Sequence, residues 1–383
     1  MSDVSEMMSS QNEGSTNSKP APKEVPVTIT MVGPTSSGKT HLISTLIGSP
    51  ASRRDLTIGP DALRDPSISR IVSGGLNDLA QNWDLLANHH DKMLRGRDGA
   101  YGEATGDVHR YPVKLQYKAP KPAKLGALGR LMRDITGSDP FQTHTLDLNI
   151  VDGRGGDLTR STSGNDAYVA NRRAQYIGSL RESRGLVLCL PCVREQIDNL
   201  ASSMLLLQVE AALGAKQGDV DAVPLENIAI CLTKYEAIFT RHGGSAGLRA
   251  TERAEAVEQI KDVGLIQVLS GLKEQSNAHN LNVQIFPVST YGFVGGRGAA
   301  NYYPWKARPG LLTRVVDDEE YEQYKADTGA SLDVPDLEDH YPVELVEADA
   351  ISLWHPFNIA PPLLFAATGR VTGPLHLSVN EVL

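Results

Sequence analysis

The sequence predicts an α/β fold in three layers, in which helices cover both faces of a mostly parallel sheet that has one antiparallel strand and carries insertions. A β-branched run at 26–32 ends in a glycine-rich turn, and a helical pattern follows at 41–47. Two alternating segments, 111–117 and 145–151, are expected to pair as neighbouring strands. Beyond residue 167, apolar strands alternate with helical patterns, which is typical of a parallel sheet covered on both faces.

The individual elements follow from the periodicity of apolar residues. Helices are expected at 167–180, 195–215 and 251–274, strands at 185–190, 227–232 and 283–288, and a closing helix with prolines in its first turn at 356–365. The stretch 51–108 is less regular, and its longest helical pattern spans 71–94. A basic stretch at 118–137 has leucines at helical spacing, which favours a helix packed on the sheet over a docking site for an acidic partner or a membrane surface.

Changes in composition suggest the domain organisation. Residues 1–24 lack bulky apolar side chains and are expected to be a disordered tail. A main domain is expected at 25–299, with 51–108 as a long insertion. An acidic insertion at 300–352 then precedes the closing helix and C-terminal tail at 353–383.

Composition excludes several classes of protein. The 383 residues carry a formal net charge of -9, so the chain gives no strong signal for binding nucleic acid. No apolar run approaches the ~20 residues of a membrane-spanning helix, and no signal peptide is apparent, so we expect a cytoplasmic protein. Cys189 and Cys192 are spaced as a redox pair or half a zinc site, but a buried strand in which cysteine is a small apolar residue is the favoured interpretation.

The strongest motif lies between the first predicted strand and the first predicted helix. Residues 33–40 read Gly-Pro-Thr-Ser-Ser-Gly-Lys-Thr and match G-x-x-x-x-G-K-[ST] in full. In this pattern the backbone N–H groups of the loop face phosphate oxygens, the lysine reaches the β- and γ-phosphates, and the last hydroxyl ligates Mg²⁺. The helix that follows adds the positive end of its dipole. The predicted nucleotide-binding residues here are Gly33, Ser36, Ser37, Gly38, Lys39, Thr40 and His41.

A second candidate site follows the strand at 145–151. Asp152 ends this strand, so its carboxylate is expected at the carboxyl edge of the sheet, beside the glycine-rich loop, where it can hold Mg²⁺ through a water. Gly155 completes the spacing D-x-x-G, and its N–H is expected to meet the γ-phosphate.

The strand at 227–232 is followed by Thr233-Lys234-Tyr235-Glu236, which resembles the [NT]-K-x-D motif of Ras-like P-loop GTPases of the TRAFAC class. The resemblance implies that Lys234 lies along the base and that the acid at 236, a glutamate here, accepts hydrogen bonds from guanine. Ser289 and Thr290 resemble the turn whose backbone contacts the base in this family. Thr105, with Thr57 as the fallback, is the candidate for the family's switch threonine, a further ligand of Mg²⁺.

The resemblance covers residues 25–295 and the closing helix near 357–368, and it implies a Ras-like G domain that binds GTP or GDP with Mg²⁺. The large insertions are similar to those of bacterial GTPases in the double-GTPase or GTPase-associated conflict-system group. Gly156 stands where many Ras-like enzymes have a glutamine that orients water, so slow hydrolysis is expected. Arg154 is a candidate cation for the transition state, although a solvated loop arginine is the simpler interpretation.

The family's biology implies a molecular switch whose switch loops signal to a protein partner. Two alternatives stay open at this point. One is an ATP-binding P-loop enzyme, and the other is a structural or assembly subunit that keeps its nucleotide with little hydrolysis.

Overall fold

The computed structural model describes residues 26–34, 37–47, 68–73, 108–120, 141–153, 167–193, 199–216, 220–293, 298, 300 and 356–383. The predicted tail at 1–24, the acidic insertion at 300–352 apart from Ala300, and most of the insertion at 51–108 lie outside the described residues.

Within the described residues, seven strands form one sheet in the order β2-β3-β4-β1-β5-β6-β7. The strands are β1 (Val27–Val32), β2 (Ile68–Ser73), β3 (His109–Pro120), β4 (Phe141–Asp152), β5 (Gly185–Pro191), β6 (Asn227–Thr233) and β7 (Asn282–Pro287). Strand β1 is parallel to β4 and β5, and β5, β6 and β7 are mutually parallel. Strand β3 is antiparallel to both of its neighbours, β2 and β4. The predicted mostly parallel sheet with one antiparallel strand is therefore confirmed.

Helices cover both faces of this sheet. They are α1 (Lys39–Ile47), α2 (Ala167–Glu182), α3 (Asn199–Gly214), a 3-10 helix (Tyr235–Ser245), α4 (Ala246–Arg249), α5 (Arg253–Asp262), α6 (Ile266–His279), α7 (Pro361–Thr368) and α8 (Val379–Val382). One apolar cluster joins the sheet to α1 and α7, and a second joins its other face to α2, α3, α5 and α6. In β5, Leu186 and Leu188 face the second cluster while Val187 faces the first, so the strand is buried on both sides.

Three expectations about single elements are wrong. Residues 71–73 belong to strand β2 and not to a helix at 71–94, because β3 offers them a pairing edge that local periodicity does not reveal. The single helix expected at 251–274 is two helices, α5 and α6, separated by Gly264 in the left-handed region at φ 86°. Lys118 begins no helix, since β3 continues to Pro120, and the rest of that basic stretch lies outside the described residues.

A closing helix with prolines in its first turn is present, but it begins at Pro361 and not at 356, because Phe357 pairs with Ser289 in a β-bridge. It packs so tightly against the start of β5 that a Cβ on Gly185 would lie 2.0 Å from the carbonyl oxygen of Ala366.

All three cysteines are free and buried, as expected of small apolar residues. Among the described residues, none of the helices combines the length and apolarity needed to cross a membrane.

Candidate functional site

The candidate site lies at the carboxyl edge of the sheet, where β1 stands between β4 and β5. Ligands of α/β proteins bind at such an edge, at the point where the strand order reverses. Four motifs meet there because parallel strands end on the same side. The glycine-rich loop follows β1, Asp152 ends β4, Thr233 ends β6, and Ser289 follows β7.

The glycine-rich loop depends on the absence of side chains at its two glycines. Gly33 has φ 154°, and a Cβ there would lie 2.5 Å from the carbonyl oxygen of Cys189 and 2.7 Å from the hydroxyl of Ser37. Gly38, just before α1, has φ 86°, which residues with a side chain rarely adopt. Both glycines of the motif are therefore required by the backbone that the loop adopts.

Lys39 brings a buried cation into this loop. Its side chain is only 6% exposed, and its Nζ donates hydrogen bonds of 3.0 Å to the carbonyl oxygens of Gly33 and Pro34. Burial lowers the pKa of Lys39, and the negative charge of Asp152 opposes that shift. The ammonium group of Lys39 therefore lies within hydrogen-bonding distance of the loop backbone, at the place where phosphate oxygens are expected.

Thr40 and Asp152 are in direct contact, although 112 positions separate them in the sequence. The Thr40 hydroxyl donates to Asp152 Oδ2 at 2.7 Å. Asp152 is fully buried and pairs in register with Met31 of β1, next to the glycine-rich loop. Two of the three oxygen ligands that the sequence predicts for Mg²⁺ thus lie together.

Thr233 connects the two loops of the site. Its hydroxyl lies 2.7 Å from the carbonyl oxygen of Ser37 and 3.2 Å from that of Leu190. The sequence predicts Thr233 as a nucleotide contact, whereas its hydroxyl is engaged in holding the glycine-rich loop to the end of β6.

Glu236 lies in the first turn of the 3-10 helix and is fully buried. Burial raises its pKa to about 7, against opposing effects of the Ser289 hydroxyl, the Glu236 backbone N–H and the charge of Lys234. Ser289 is close enough to favour the charged form, but among the described residues neither carboxylate oxygen of Glu236 has a hydrogen bond of normal geometry. A buried carboxyl group in this state is costly unless a ligand supplies donors.

Lys234 adopts the left-handed conformation at φ 56°, which costs a residue with a side chain roughly 1–2 kcal/mol. Burial lowers its pKa, and Glu236 opposes the shift. Backbone strain of this kind is concentrated at functional sites.

Ser289 and Thr290 are buried in the loop after β7. The Ser289 hydroxyl accepts a hydrogen bond of 2.6 Å from the N–H of Gly292, which fixes the turn. Tyr291 is not among the residues predicted from the sequence, and its ring centroid lies 6.1 Å from that of His41 at the start of α1. The signal for it was an aromatic residue directly after Ser289 and Thr290.

Several predicted site residues lie outside the described residues. They are Ser36, Thr105, Arg154 and Gly155, together with the fallback Thr57. Among the described residues, no group of three or more His, Cys, Asp or Glu side chains is placed to hold a metal ion. The Thr40–Asp152 pair differs from such a cluster because Mg²⁺ commonly takes only one or two protein oxygens beside phosphate and water.

A mostly parallel sheet with one antiparallel strand and a glycine-rich phosphate loop after a central strand is an α/β fold consistent with a P-loop GTPase. No protein-family model matches the chain, and no curated protein matches it in sequence.

Among solved structures, the chain is similar to the GTPase-like domain of S. cerevisiae Ski7 bound to GTP, at 14% identity and a TM-score of 0.32, over 70% of this chain and 43% of that one. It is also similar to two chains of an oligomerised bacterial dynamin pair that senses and tethers membranes. The first has 13% identity and a TM-score of 0.26, over 81% of this chain and 46% of that one. The second has 14% identity and a TM-score of 0.27, over 86% and 47%. The chain spans less than half the length of each of these structures.

Proposed function

We propose that the chain is a guanine-nucleotide-binding switch that binds GTP or GDP with Mg²⁺ and hydrolyses GTP slowly. The observation that carries this proposal is the 2.7 Å contact between Thr40 and Asp152 beside the buried ammonium group of Lys39. These three side chains are the ones that a P-loop protein uses for Mg²⁺ and for the β- and γ-phosphates.

The residues fit Mg²⁺. A hydroxyl and a carboxylate are the hard oxygen donors that this ion prefers, and Thr40 and Asp152 present them at one point. Thr40 would ligate the ion directly, Asp152 would hold it through a water, and Thr105 remains the predicted further ligand. When bound, Mg²⁺ would neutralise negative charge on the phosphate oxygens.

The phosphates would be held by the loop and by Lys39. The two loop carbonyls that now accept from Lys39 Nζ would give way to phosphate oxygens, which are negatively charged and make stronger hydrogen bonds. The N–H group of Gly38, at the amino end of α1, would add a donor along the helix dipole.

Glu236 would read the base. In its ionised form it offers two acceptors to the N1–H and the exocyclic amine of guanine. These donors would add hydrogen bonds of normal geometry, which the carboxylate oxygens do not make with the described residues. Lys234 would lie along the base, and the backbone of Ser289 and Thr290 would contact it. Adenine has no N–H at N1, so ionised Glu236 would disfavour it.

Hydrolysis would be slow because Gly156 offers no side chain to orient the attacking water. Arg154 is the proposed transition-state cation, and the N–H of Gly155 the proposed γ-phosphate contact. The switch loops would order around the γ-phosphate and act on a protein partner. The cytoplasmic location, the domain boundaries and the resemblance to the conflict-system group remain predictions.

A second candidate, ATP binding, is favoured by the raised pKa of Glu236, about 7. A protonated carboxyl group donates to adenine N1 and accepts from the adenine amine, so the neutral form of the same side chain would suit adenine. Which base is preferred then depends on the protonation state of Glu236.

The proposal is tested by measuring the affinities of the purified chain for GTP, GDP and ATP with Mg²⁺ by isothermal titration calorimetry. Lys39→Ala is expected to abolish triphosphate binding, and Glu236→Ala to erase a preference for guanine. Glu226→Ala is the matched control, because Glu226 is a half-buried glutamate that pairs with Arg184 directly before β6, at the end of that strand opposite the site. Equal affinity for ATP and GTP in the unaltered chain would refute guanine recognition, and binding that survives Lys39→Ala would favour a structural role for the nucleotide.

A further inference from the structure

Residues 357–358 pack behind two loops that are proposed to contact the base, the one that carries Glu236 and the one that carries Ser289. These are called the base-reading loops below. Phe357 forms an antiparallel bridge with Ser289, in which Ser289 N–H donates to Phe357 O at 3.0 Å and Phe357 N–H donates to Ser289 O at 2.8 Å. The predicted base contact at Ser289 therefore takes its backbone position from residues that follow the acidic insertion.

Asn358, the residue after Phe357, stabilises this bridge through its side chain. It is 2% exposed, and its side-chain amide donates to the carbonyl oxygen of Pro287 at 2.9 Å and to that of Leu375 at 2.6 Å. Both amide hydrogens are thereby used, one on the end of β7 and one on the C-terminal segment. Its backbone is left-handed at φ 58°, a conformation that glycine adopts more easily. The backbone conformation alone would favour glycine here, and the two hydrogen bonds of the side chain offset that cost.

The same segment contacts the loop that carries Glu236. The ring of Phe357 stacks on Tyr235 at a centroid distance of 5.8 Å and an interplanar angle of 19°. Tyr235 directly precedes Glu236, and its N–H donates to Val288 O at 3.2 Å. The two base-reading loops and residues 357–358 therefore form one hydrogen-bonded and stacked unit.

We propose that Asn358 is a positioning residue for base recognition, which sets the distance between Ser289 and Glu236 without touching the nucleotide. This inference rests on the proposed binding of a guanine base between these loops. Recognition by paired hydrogen bonds needs its acceptors placed within a fraction of an ångström, so loosening the bridge weakens binding of the base while the phosphate loop, held by α1 and Thr233, stays intact.

The test compares Asn358→Gly with Asn280→Gly. Asn280 is a matched control, because it also adopts a left-handed conformation, at φ 53°, but is exposed at the end of α6. Glycine keeps the backbone conformation at both positions and removes only the side chain. Binding of GDP, ADP and inorganic tripolyphosphate with Mg²⁺ is measured by calorimetry, at a temperature where circular dichroism shows each variant folded.

Asn358→Gly is expected to weaken GDP binding about tenfold, the equivalent of roughly one hydrogen bond, while tripolyphosphate binding is unchanged. Asn280→Gly is expected to change neither. Equal losses for GDP and tripolyphosphate, or no loss for either, would overturn the positioning role. Should Asn358→Gly fail to fold, Asn358→Asp replaces it, because aspartate keeps the shape of the side chain but has no amide hydrogens to donate to Pro287 and Leu375, and the same outcomes apply. If the unaltered chain binds GDP and ADP equally, the proposed guanine recognition fails first, and this inference falls with it.

Discussion

Under the proposed function, base preference depends on pH through the protonation of Glu236. Burial raises its pKa to about 7, so the carboxylate that guanine requires is incompletely formed near neutrality. We expect the affinity for GDP to increase as the pH rises through this value, and the affinity for ADP to decrease.

The size of the effect follows from the ionised fraction. With a pKa of about 7, about one tenth of the chains are ionised at about pH 6 and about nine tenths at about pH 8. If only the ionised form binds guanine, the apparent affinity for GDP should rise about tenfold over this interval. The ratio of GDP to ADP affinity should rise by more, since the two bases select opposite forms.

The assay is a series of calorimetric titrations with GDP and ADP across this range. Phosphate groups of the ligand also titrate there, so Glu236→Gln serves as the reference, because an amide keeps the shape of the side chain and has no proton to lose. The pH dependence assigned to Glu236 is the difference between the unaltered chain and this variant. A GDP affinity with the same pH profile in both would refute the reasoning.

Three further predictions concern other parts of the site and its support. Asp152→Asn keeps the shape but removes the charge, so the gain in GTP affinity from Mg²⁺, compared with EDTA, should fall about ten- to a hundredfold; an unchanged gain would exclude a role in holding Mg²⁺. Thr233→Val leaves the carbonyl of Ser37 without its donor and should lower the free energy of unfolding in urea by about 1–3 kcal/mol. Gly185→Ala would place a Cβ 2.0 Å from Ala366 O and should lower it by about 1–3 kcal/mol, whereas an unchanged midpoint would mean that α7 shifts freely.

The elements of the sheet core were predictable because their signals are local. Strands β5 and β6 are continuous apolar runs, and such runs indicate burial on both faces whatever surrounds them. The glycine-rich loop was predictable for a related reason, since its function fixes residue types at adjacent positions. Strand β2 was not, because a six-residue segment without strong alternation acquires its conformation from the pairing edge of β3.

The sequence nominates candidate residues for the site but does not reveal the contacts between them. The sequence brings Thr40 and Asp152 to one edge, yet the bond between them depends on the register of β1 and β4. The burial of Glu236 depends on the packing of the 3-10 helix, and the bridge to Phe357 joins positions with no periodic relation. Such contacts are set by tertiary packing, which a pattern in one segment does not encode.

Two side chains of the site share an electrostatic property that bears on its function. Burial lowers the pKa of Lys39 and raises that of Glu236, so the protein environment disfavours the charged form of both. For Glu236, the folded chain holds a proton that the unfolded chain releases between its ordinary pKa of 4.5 and about 7, so this group's contribution to stability falls as the pH rises through that window. A ligand with negative phosphates at one end and paired N–H donors at the other would stabilise both charged forms. A guanine nucleotide has this distribution of groups, and the charges that are costly in the free protein would then become part of its binding energy.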